Sequence, residues 1–421
     1  MQNKTGTMET IRAYKFRIYP DAKRQWEINN AVSLSQKLYN LLLEKTIEAH
    51  KKNPSSKISQ KTINQFLNEI IKEDKTYLQL YAHVRVDIRN KLLRTYQNFF
   101  RRCKERKQGR KVKVGFPRFK SNDKYNSITH LENNGSFGIE KSGRKNMLRI
   151  SKIGRVQIEQ HRQIDGRIKT LTIKKEGKDY YAIFTAEQTA SPATLKDTNP
   201  IGIDLGLNNF IAMSDGTTIQ KPKFYKKHEK RIKWWQRSLS RRKKGSKRRE
   251  KAKRHLQNEW NEATRASDDF MHKLSNRLVR QGYTSFATEN LNIQNMQKNH
   301  RLAQSIANAS WSRFVNYLSC KAESAGMEVT EVPSRDTTRM CSSCGTKKEM
   351  PLKEREYVCG NCGLHMDSDI NAAINILNRA TLEQRERCAQ GDAGQYSATG
   401  AANSVEELRT YPAIAGEAPN L

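Results

Sequence analysis

Four cysteines stand in two closely spaced pairs near the C-terminal end of the chain. Cys341 and Cys344 form one Cys-X-X-Cys pair, Cys359 and Cys362 form the other, and 14 residues separate the pairs. This spacing is typical of a four-thiolate zinc site, with a redox-active dithiol as the alternative. A glycine follows each pair and permits the tight turn that brings both sulfurs to one ion. Because four thiolates leave no open position for a substrate, the pattern predicts a structural Zn²⁺, and His365 is assigned to packing.

Three acidic residues stand where a regular element can aim a carboxylate into a site. Asp204 lies inside an apolar strand, where an unpaired carboxylate is costly. Glu289 closes a second predicted strand. Asp369 opens a predicted helix with Asp367 or Ser368 as its N-cap, which leaves Asp369 free to point into a site. Each acid alone also fits a structural role, as a turn aspartate or an exposed strand-end glutamate.

Carboxylates are the hard oxygen ligands that Mg²⁺ prefers. Two Mg²⁺ ions held by such acids activate a water and stabilise the leaving oxygen in the hydrolysis of a phosphodiester. The order strand-Asp, strand-Glu, helix-Asp in one chain therefore favours a nuclease of the RNase H-like class.

The chain is strongly basic. Its 421 residues carry 78 Lys and Arg against 43 Asp and Glu, a formal net charge of +35. Such a charge favours a polyanionic partner over an enzyme that acts alone on a neutral metabolite. No apolar run approaches the roughly 20 residues of a membrane span, and the first residues lack the order of a secretory signal. The sequence predicts an intracellular nucleic-acid-binding protein.

Two segments concentrate this positive charge. Residues 223–254 hold 17 Lys and Arg against two acids, which predicts one or two exposed basic helices that contact nucleic-acid backbone rather than only solvent. A predicted helix over 83–106 carries basic residues that either face solvent over an aromatic core or contact nucleic acid. The residues assigned to nucleic-acid contact are Arg85, Arg89, Arg118, Lys120, Arg241, Arg242, Lys243, Lys244, Lys247 and Arg248.

Periodicity predicts the elements that hold these residues. Alternation over 11–19 predicts a strand, followed by a helix that Asp21 caps and by helices over about 60–73 and 83–106. From 111 to about 187 the period shortens to two, with glycines between segments, as in a small antiparallel barrel or sandwich that the first strand joins. Linker composition over 188–199 predicts a domain boundary near 195.

Beyond that boundary the pattern mixes strands and helices. A strand-turn-strand over 201–216 carries Asp204, and a strand covers 284–291. A helix over about 302–325 precedes a strand at 328–332. A helix runs from Asp369 to Leu377, and the segment 381–421 has the composition of a disordered tail.

Several stretches occur in a fixed order along the chain: 12–20, 116–120, 202–206, 243–246, 289–292, 310–311, both cysteine pairs and 369–373. Together they resemble the TnpB proteins of insertion sequences, relatives of type V CRISPR nucleases, across roughly residues 9–380. One departure is Thr337-Thr338-Arg339, where the family has Thr-Ser-Gln before the first cysteine pair.

The resemblance implies a multidomain α+β fold. A wedge β-barrel (9–20 and 111–195) holds a helical recognition insertion (21–110). An RNase H-like RuvC nuclease domain (200–335 and 364–380) holds a zinc ribbon (336–363), and a disordered tail (381–421) follows.

The resemblance also implies an RNA-guided DNA endonuclease of a transposable element. Asp204, Glu289 and Asp369 would form the catalytic triad and hold two Mg²⁺ ions, with Asp204 contacting both. A non-coding guide RNA would pair with one strand of a double-stranded DNA target, and the protein would read a short adjacent motif. The alternatives are a nuclease-dead RNA-guided regulator and an RNase H-like transposase. The expected location is the prokaryotic cytoplasm, at the nucleoid.

Overall fold

The alternating residues at the start of the chain form a long strand, β1 (Met8–Tyr19), which buries Tyr14, Phe16 and Ile18 on one face. The computed structural model describes residues 8–53, 58–122, 124–131, 135–190, 199–351 and 354–389. Within them the chain divides into two compact units, one spanning Ile11–Gln188 and the other comprising residues 8–10 together with the chain from Thr189 onward.

A seven-stranded sheet forms the base of the first unit, and β1 lies at its centre, as the alternation predicted. Strands β2 and β3 form the two edges of this sheet, so it is open, where the sequence indicated a small antiparallel barrel or sandwich. Its strands, from one edge to the other, are β2 (Ser127–Leu131), β6 (Arg167–Glu176), β7 (Asp179–Ala190), β1, β5 (Gly154–Glu159), β4 (Lys145–Ile150) and β3 (Phe137–Ser142).

Three helices pack in the same unit: α1 (Ala22–Lys52), α2 (Gln60–Glu73) and α3 (Ala82–Lys107), with a 3₁₀ turn (Lys75–Gln79) before α3. Asp21 caps α1 by accepting a hydrogen bond from the Arg24 backbone N–H, which confirms the predicted cap. Leu38, Ile63 and Ile88 are fully buried between the helices. Burial of each such side chain contributes about 1.5–3 kcal/mol.

The second unit contains a five-stranded mixed sheet. Its strands are, in spatial order, β10 (Thr218–Ile219), β9 (Ile211–Met213), β8 (Pro200–Asp204), β11 (Ser285–Asn290) and β12 (Glu328–Pro333). β8, β11 and β12 are parallel, while β9 returns antiparallel to β8 as the second strand of the predicted strand-turn-strand. The carboxyl ends of β8 and β11 therefore meet at one edge of the sheet.

The most basic segment of the chain forms an antiparallel helix pair, α4 (Phe224–Ser240) and α5 (Lys247–Arg280), in agreement with the sequence. Aromatic and charged groups of the two helices contact each other. Trp235 stacks on His255 with ring centroids 4.4 Å apart, and His228 Nδ1 lies 2.9 Å from a Glu259 carboxylate oxygen.

The predicted helix over 302–325 is two helices, α7 (Ala303–Ala309) and α8 (Trp311–Ser324), which follow the short α6 (Ile293–Met296). Ser310 between them adopts a left-handed conformation, with φ of 57°. The Lys221 ammonium group donates to the carbonyl oxygens of Asn308 and Ala309 at 3.0 and 2.7 Å. These contacts satisfy carbonyls at the end of α7, which explains the break.

The C-terminal elements are the hairpin β13 (Glu356–Val358) and β14 (His365–Asp367), and then α9 (Ser368–Ala389). The predicted disordered tail is wrong for 381–389, since α9 continues to Ala389. Ala380 is buried with Ala287 and Val332, so packing against the sheet extends the helix beyond the predicted end. The rest of that tail, 390–421, lies outside the described residues. None of the described helices is long and apolar enough to cross a membrane.

Candidate active site and cysteine cluster

Two of the three predicted acids lie side by side on parallel strands. Thr288 of β11 pairs with Ile203 of β8, and Glu289 and Asp204 each follow directly after that pair. In-register residues of parallel strands project from the same face, with neighbouring strands about 4.8 Å apart. The sheet thus holds the two carboxylates as neighbours, with Glu289 9% exposed and Asp204 half-buried.

Helix α9 carries the third acid onto that same face. Gly202 lies two residues before Asp204 and contacts α9 so closely that a Cβ there would lie 2.1 Å from the Ala373 carbonyl oxygen. Asp369 lies one helical turn before Ala373, so it shares the face of α9 that covers β8. A Cβ at Gly206 would lie 3.9 Å from an Asp369 carboxylate oxygen. The three acids therefore converge at one edge of the sheet.

The start of α9 is fixed by Asp367. One of its carboxylate oxygens accepts hydrogen bonds from the backbone N–H groups of Asp369 and Ile370 at 2.8 and 3.2 Å. This geometry confirms one of the two predicted N-caps and leaves the Asp369 side chain directed elsewhere.

Burial and neighbouring charge disfavour the ionised forms of the two strand acids. Burial, followed by the charges of Glu289 and Asp369, raises the pKa of Asp204 well above its usual value. Burial likewise raises the pKa of Glu289, although the Thr337 hydroxyl and the Arg379 charge partly oppose this. Closely placed acids with raised pKa values are a typical environment for a bound cation, which would stabilise the ionised forms.

Hydrogen-bond donors that the sequence did not reveal orient two of these acids. The Thr337 hydroxyl donates to a Glu289 carboxylate oxygen. The Asn209 amide donates to Asp369 at 3.1 Å, and the Arg355 guanidinium lies 3.5 Å from the other oxygen of Asp369. Thr337 is the one residue of Thr337-Thr338-Arg339 that agrees with the Thr-Ser-Gln of the TnpB pattern.

The donor set fits Mg²⁺, because all three groups are carboxylates that share one face of one sheet edge. The ligand atoms of these three described acids do not all lie within 4.8 Å of one another. The acids are therefore spread more widely than the shell of a single compact ion.

The four cysteine sulfurs converge on one point. Cys341 Sγ lies 3.6 Å from Cys362 Sγ, Cys344 Sγ lies 3.6 Å from Cys359 Sγ, and all four lie within 4.8 Å of one another. A disulfide requires about 2.05 Å, whereas a tetrahedral shell with Zn–S bonds of about 2.3 Å places its sulfurs about 3.8 Å apart. The cysteines fit a four-thiolate metal site.

The two Cys-X-X-Cys turns repeat the same backbone hydrogen bonds. Gly345 N–H donates to the Cys341 carbonyl at 2.9 Å, and Gly363 N–H donates to the Cys359 carbonyl at 3.1 Å. Both glycines have φ near 74°, a left-handed conformation that favours glycine. Hydrogen bonds from Thr346 lower the pKa of Cys344 to about 5, which favours the thiolate that binds metal.

Two buried asparagines of α9 tie the cysteine cluster to the helix that carries Asp369. Asn371 accepts from the Ser342 N–H at 2.9 Å and donates to the Met340 carbonyl at 2.8 Å. Asn375, one turn later, donates to the carbonyl oxygens of Thr337 and Met340. The loop that begins the first cysteine pair is thus bonded to the helix that carries the acid, through a face other than that of Asp369.

The basic residues predicted to contact nucleic acid fall into two groups. Arg85 donates to the carbonyls of Tyr77 and Leu80, Arg89 donates to Asn64 and Asn90, and Arg242 donates to the Arg248 carbonyl, so these guanidinium groups have partners within the protein. The exposed group consists of Arg118, Lys120, Arg241, Lys243, Lys244, Lys247 and Arg248.

Three family models match separate parts of the chain. A model described as "Probable transposase" matches residues 183–300, and one described as "Cas12f1-like, TNB domain" matches 311–376. These two ranges contain the three acids and both cysteine pairs. A third model, described as "Helix-turn-helix domain", matches 8–54, where the structure has β1 and the single helix α1.

Curated relatives match most of the chain. A Streptomyces pristinaespiralis protein with the provisional name RNA-guided DNA endonuclease is 29% identical over 371 residues, 87% of this chain and 88% of its own. A protein of Escherichia coli K12, provisionally named RNA-guided DNA endonuclease InsQ, is 24% identical over 88% of this chain and 92% of its own. TnpB-like protein L79 of Acanthamoeba polyphaga mimivirus is 28% identical over 50% of this chain and 43% of its own.

A solved structure shares the fold. The protein in a structure described as a Cas12f1–sgRNA–target DNA complex superposes with a TM-score of 0.58 and 13% identity, covering 89% of this chain and 99% of that one. The ordered motifs, the family models and the relatives all support the assignment of this chain to the TnpB family.

Proposed function

We propose that this protein is an RNA-guided DNA endonuclease of a transposable element that acts in the bacterial cytoplasm, at the nucleoid. The observation that carries the proposal is the convergence of Asp204, Glu289 and Asp369 at one edge of the mixed sheet, where burial and the charges of the other two acids raise the pKa of Asp204. Two relatives that match most of the chain bear the name RNA-guided DNA endonuclease, which supports the same activity.

In this proposal the three acids hold Mg²⁺. When bound, Mg²⁺ lowers the pKa of a coordinated water and neutralises charge on the scissile phosphate. Asp204 is the acid whose pKa both of the other carboxylates raise, so it is the residue that would contact both ions if two were bound. Hydrogen bonds from Thr337 and Asn209 hold the carboxylates of Glu289 and Asp369 in fixed orientations. These carboxylates therefore need not reorient during the reaction.

We assign the RuvC-like nuclease domain to 200–335 and 364–380, and the zinc ribbon to 336–363. Support comes from the order of the five-stranded sheet, with two parallel strands and one helix carrying the acids, and from the sulfur distances of about 3.6 Å. The zinc-binding cysteines would be Cys341, Cys344, Cys359 and Cys362. The wedge would comprise 9–20 and 111–195, and the recognition insertion 21–110.

The proposed partners are a guide RNA and a double-stranded DNA target. The exposed basic residues near the α4–α5 turn, together with Arg118 and Lys120, supply contacts to phosphates. Binding through such contacts releases counterions, so affinity should fall steeply with salt.

A transposase that joins DNA strands is the second candidate, because the family model over 183–300 carries that description. Three acids in an RNase H-like arrangement also suit that chemistry. The two functions differ in their need for RNA, and this difference can be measured. A nuclease-dead regulator, by contrast, has no chemical need for three converging acids.

The deciding experiment is to purify the full chain from cells that also contain its flanking element DNA and to sequence the bound RNA. One defined RNA that ends in variable sequence, and that directs Mg²⁺-dependent cleavage of a matching plasmid, is the expected result. Plasmid joining or cutting that proceeds equally well after the RNA is digested would instead support the transposase.

A further inference from the structure

The first unit contains a cleft of about 310 Å³ that is separate from the three acids. It lies between α1, the turn that leads into α3, strand β2 and the turn joining β4 to β5. A cleft of this size is in the range of small-molecule sites. The lining residues used below are Trp26, Asn30, Gln79, Tyr81, His130 and Lys152.

His130 is a buried polar group for which the fold supplies no partner. Its side chain is 1% exposed, and neither ring nitrogen makes a hydrogen bond with any of the described residues. Buried polar groups are almost always hydrogen-bonded, and an exception in a native fold calls for an explanation. A ligand in the cleft that His130 lines is such an explanation.

The part of the ligand that contacts His130 should be neutral and should carry both a hydrogen-bond donor and a hydrogen-bond acceptor. Burial, and then the nearby His83, lower the pKa of His130 to about 4, so the imidazole is neutral at physiological pH. A neutral imidazole offers one N–H donor and one acceptor nitrogen. The edge of a nucleobase presents both kinds of group, whereas a phosphate presents acceptors only.

Aromatic rings line the same cleft. Tyr81 stacks on His130 with ring centroids 5.8 Å apart and an interplanar angle of 23°. Trp26 lies on α1 with 65% of its surface exposed, an unusual position for a large aromatic side chain. Flat aromatic groups beside a cleft are the means by which proteins hold an unstacked base.

The remaining lining residues suit the polar parts of a nucleotide. Asn30 donates to Gln79 at 3.2 Å, which presents two amide groups beside the aromatic rings. Lys152 is exposed and has a φ of 69°, a left-handed conformation that is rare for a lysine. Because Lys152 also lines the cleft, its ammonium group is available to the phosphate attached to a bound base.

We propose that this cleft binds one unpaired nucleobase of the guide RNA, stacked against Trp26 and hydrogen-bonded to His130. The inference rests on the proposed function and extends it, because it adds a base-binding site to a set of phosphate contacts. RNA is favoured over duplex DNA because RNA-binding proteins commonly take up splayed-out bases of loops and bulges, while a base of duplex DNA must first leave its stack.

The test compares two fluorescein-labelled probes on the RNA-free full chain: a 12-nucleotide oligo(rA) and a 12-unit ribose-phosphate strand without bases. The two probes have the same charge, so their ratio of affinities measures base contacts alone. The wild-type chain should bind oligo(rA) about tenfold more tightly, the size of one base–aromatic stack. Trp26→Ala and His130→Phe should each bring the ratio close to one without changing the affinity for the abasic strand.

Two further variants serve as controls. Trp26→Phe keeps an aromatic ring and should retain most of the ratio. Leu78→Ala removes an exposed apolar side chain of the same unit that does not line the cleft, and it should leave the ratio unchanged. Because Trp26 is exposed, its replacement does not depend on whether the His130 variant folds.

The outcomes separate the cleft from the wider proposal. An unchanged ratio in Trp26→Ala would refute the base-binding site. If Trp26→Ala weakened the binding of oligo(dA) but not that of oligo(rA), the site would bind DNA, and the assignment to RNA would be overturned. Failure of the wild-type chain to bind either RNA probe at low salt would contradict the nucleic-acid partner itself.

Discussion

The cysteine cluster and the acidic site belong to the same unit, but they are constructed from the chain in opposite ways. The cysteines come from one short segment, and each pair folds through its own glycine turn with the same two hydrogen bonds. The acids come from three distant segments, and they meet only after β8, β11 and α9 have packed together. Local spacing alone therefore specifies a metal site in the first case, and only the completed fold does so in the second.

The two regions nevertheless depend on each other. Asn371 and Asn375 bond the loop of the first cysteine pair to α9, and Arg355 of the cysteine segment lies beside Asp369. Thr337, just before that loop, donates to Glu289. A local metal site can therefore stabilise a site that is assembled over long range.

The sharpest test of the long-range site removes its central acid. Asp204→Ala should lower DNA cleavage by at least about 10³-fold, because several kcal/mol of charge stabilisation in the transition state are lost. RNA binding and zinc content should stay unchanged, as measured by co-purification and elemental analysis. Glu331→Gln on neighbouring β12 is the matched control and should cleave normally. If Asp204→Ala also lost its bound RNA, the role of Asp204 would be structural.

Removal of a cysteine tests whether the local site supports the other. Cys341→Ser should reduce zinc below one ion per chain and lower the free energy of unfolding by at least about 3 kcal/mol, because zinc binding is coupled to folding. Cleavage should fall with it. Cys103→Ser, in the first unit, should leave zinc content and cleavage unchanged. Full zinc content in Cys341→Ser would contradict the ligand set.

The connection itself can be weakened while both sites keep their ligands. Asn375→Ala leaves the carbonyl oxygens of Thr337 and Met340 without that donor, which should cost about 1–3 kcal/mol of unfolding free energy. Zinc should be retained and cleavage should decrease. Asn378→Ala, exposed on the same helix, is the control. Normal cleavage by Asn375→Ala would show that the two regions act independently.

Acid should affect the first unit without involving either metal site. The pKa of His130 is about 4 in the folded chain, below its usual value of 6.5, with His83 and Asp87 as the charged groups facing it. As pH falls below 6.5 the unfolded chain takes up this proton first, so stability decreases with falling pH. Between pH 7 and pH 5 the loss should be about 2 kcal/mol, measured by chemical denaturation. His130→Phe should remove this part of the pH dependence, and an unchanged slope would contradict it.

The sequence predicted the features that arise from local patterns. The cysteine spacing, the caps at Asp21 and Asp367, and the elements that carry the acids all follow from such patterns and agree with the structure. The break at Ser310 and the bond from Thr337 to Glu289 depend on residues distant in the chain, such as Lys221, so no window of sequence contains them. The partners of Arg85 and Arg89 are mostly close in sequence, but charge alone does not reveal which guanidinium groups face the protein.

Gly202 has no reactive group, yet it sets the separation between a strand acid and a helix acid. A single methyl group there would lie 2.1 Å from a backbone oxygen of α9, so the two elements touch through bare main chain. A substitution at this position would leave all three acids in the sequence but would move the acid on α9 away from the acids on the strands. Inactive copies of such a gene can therefore arise with all their acids intact, and a search for missing catalytic residues would not find them.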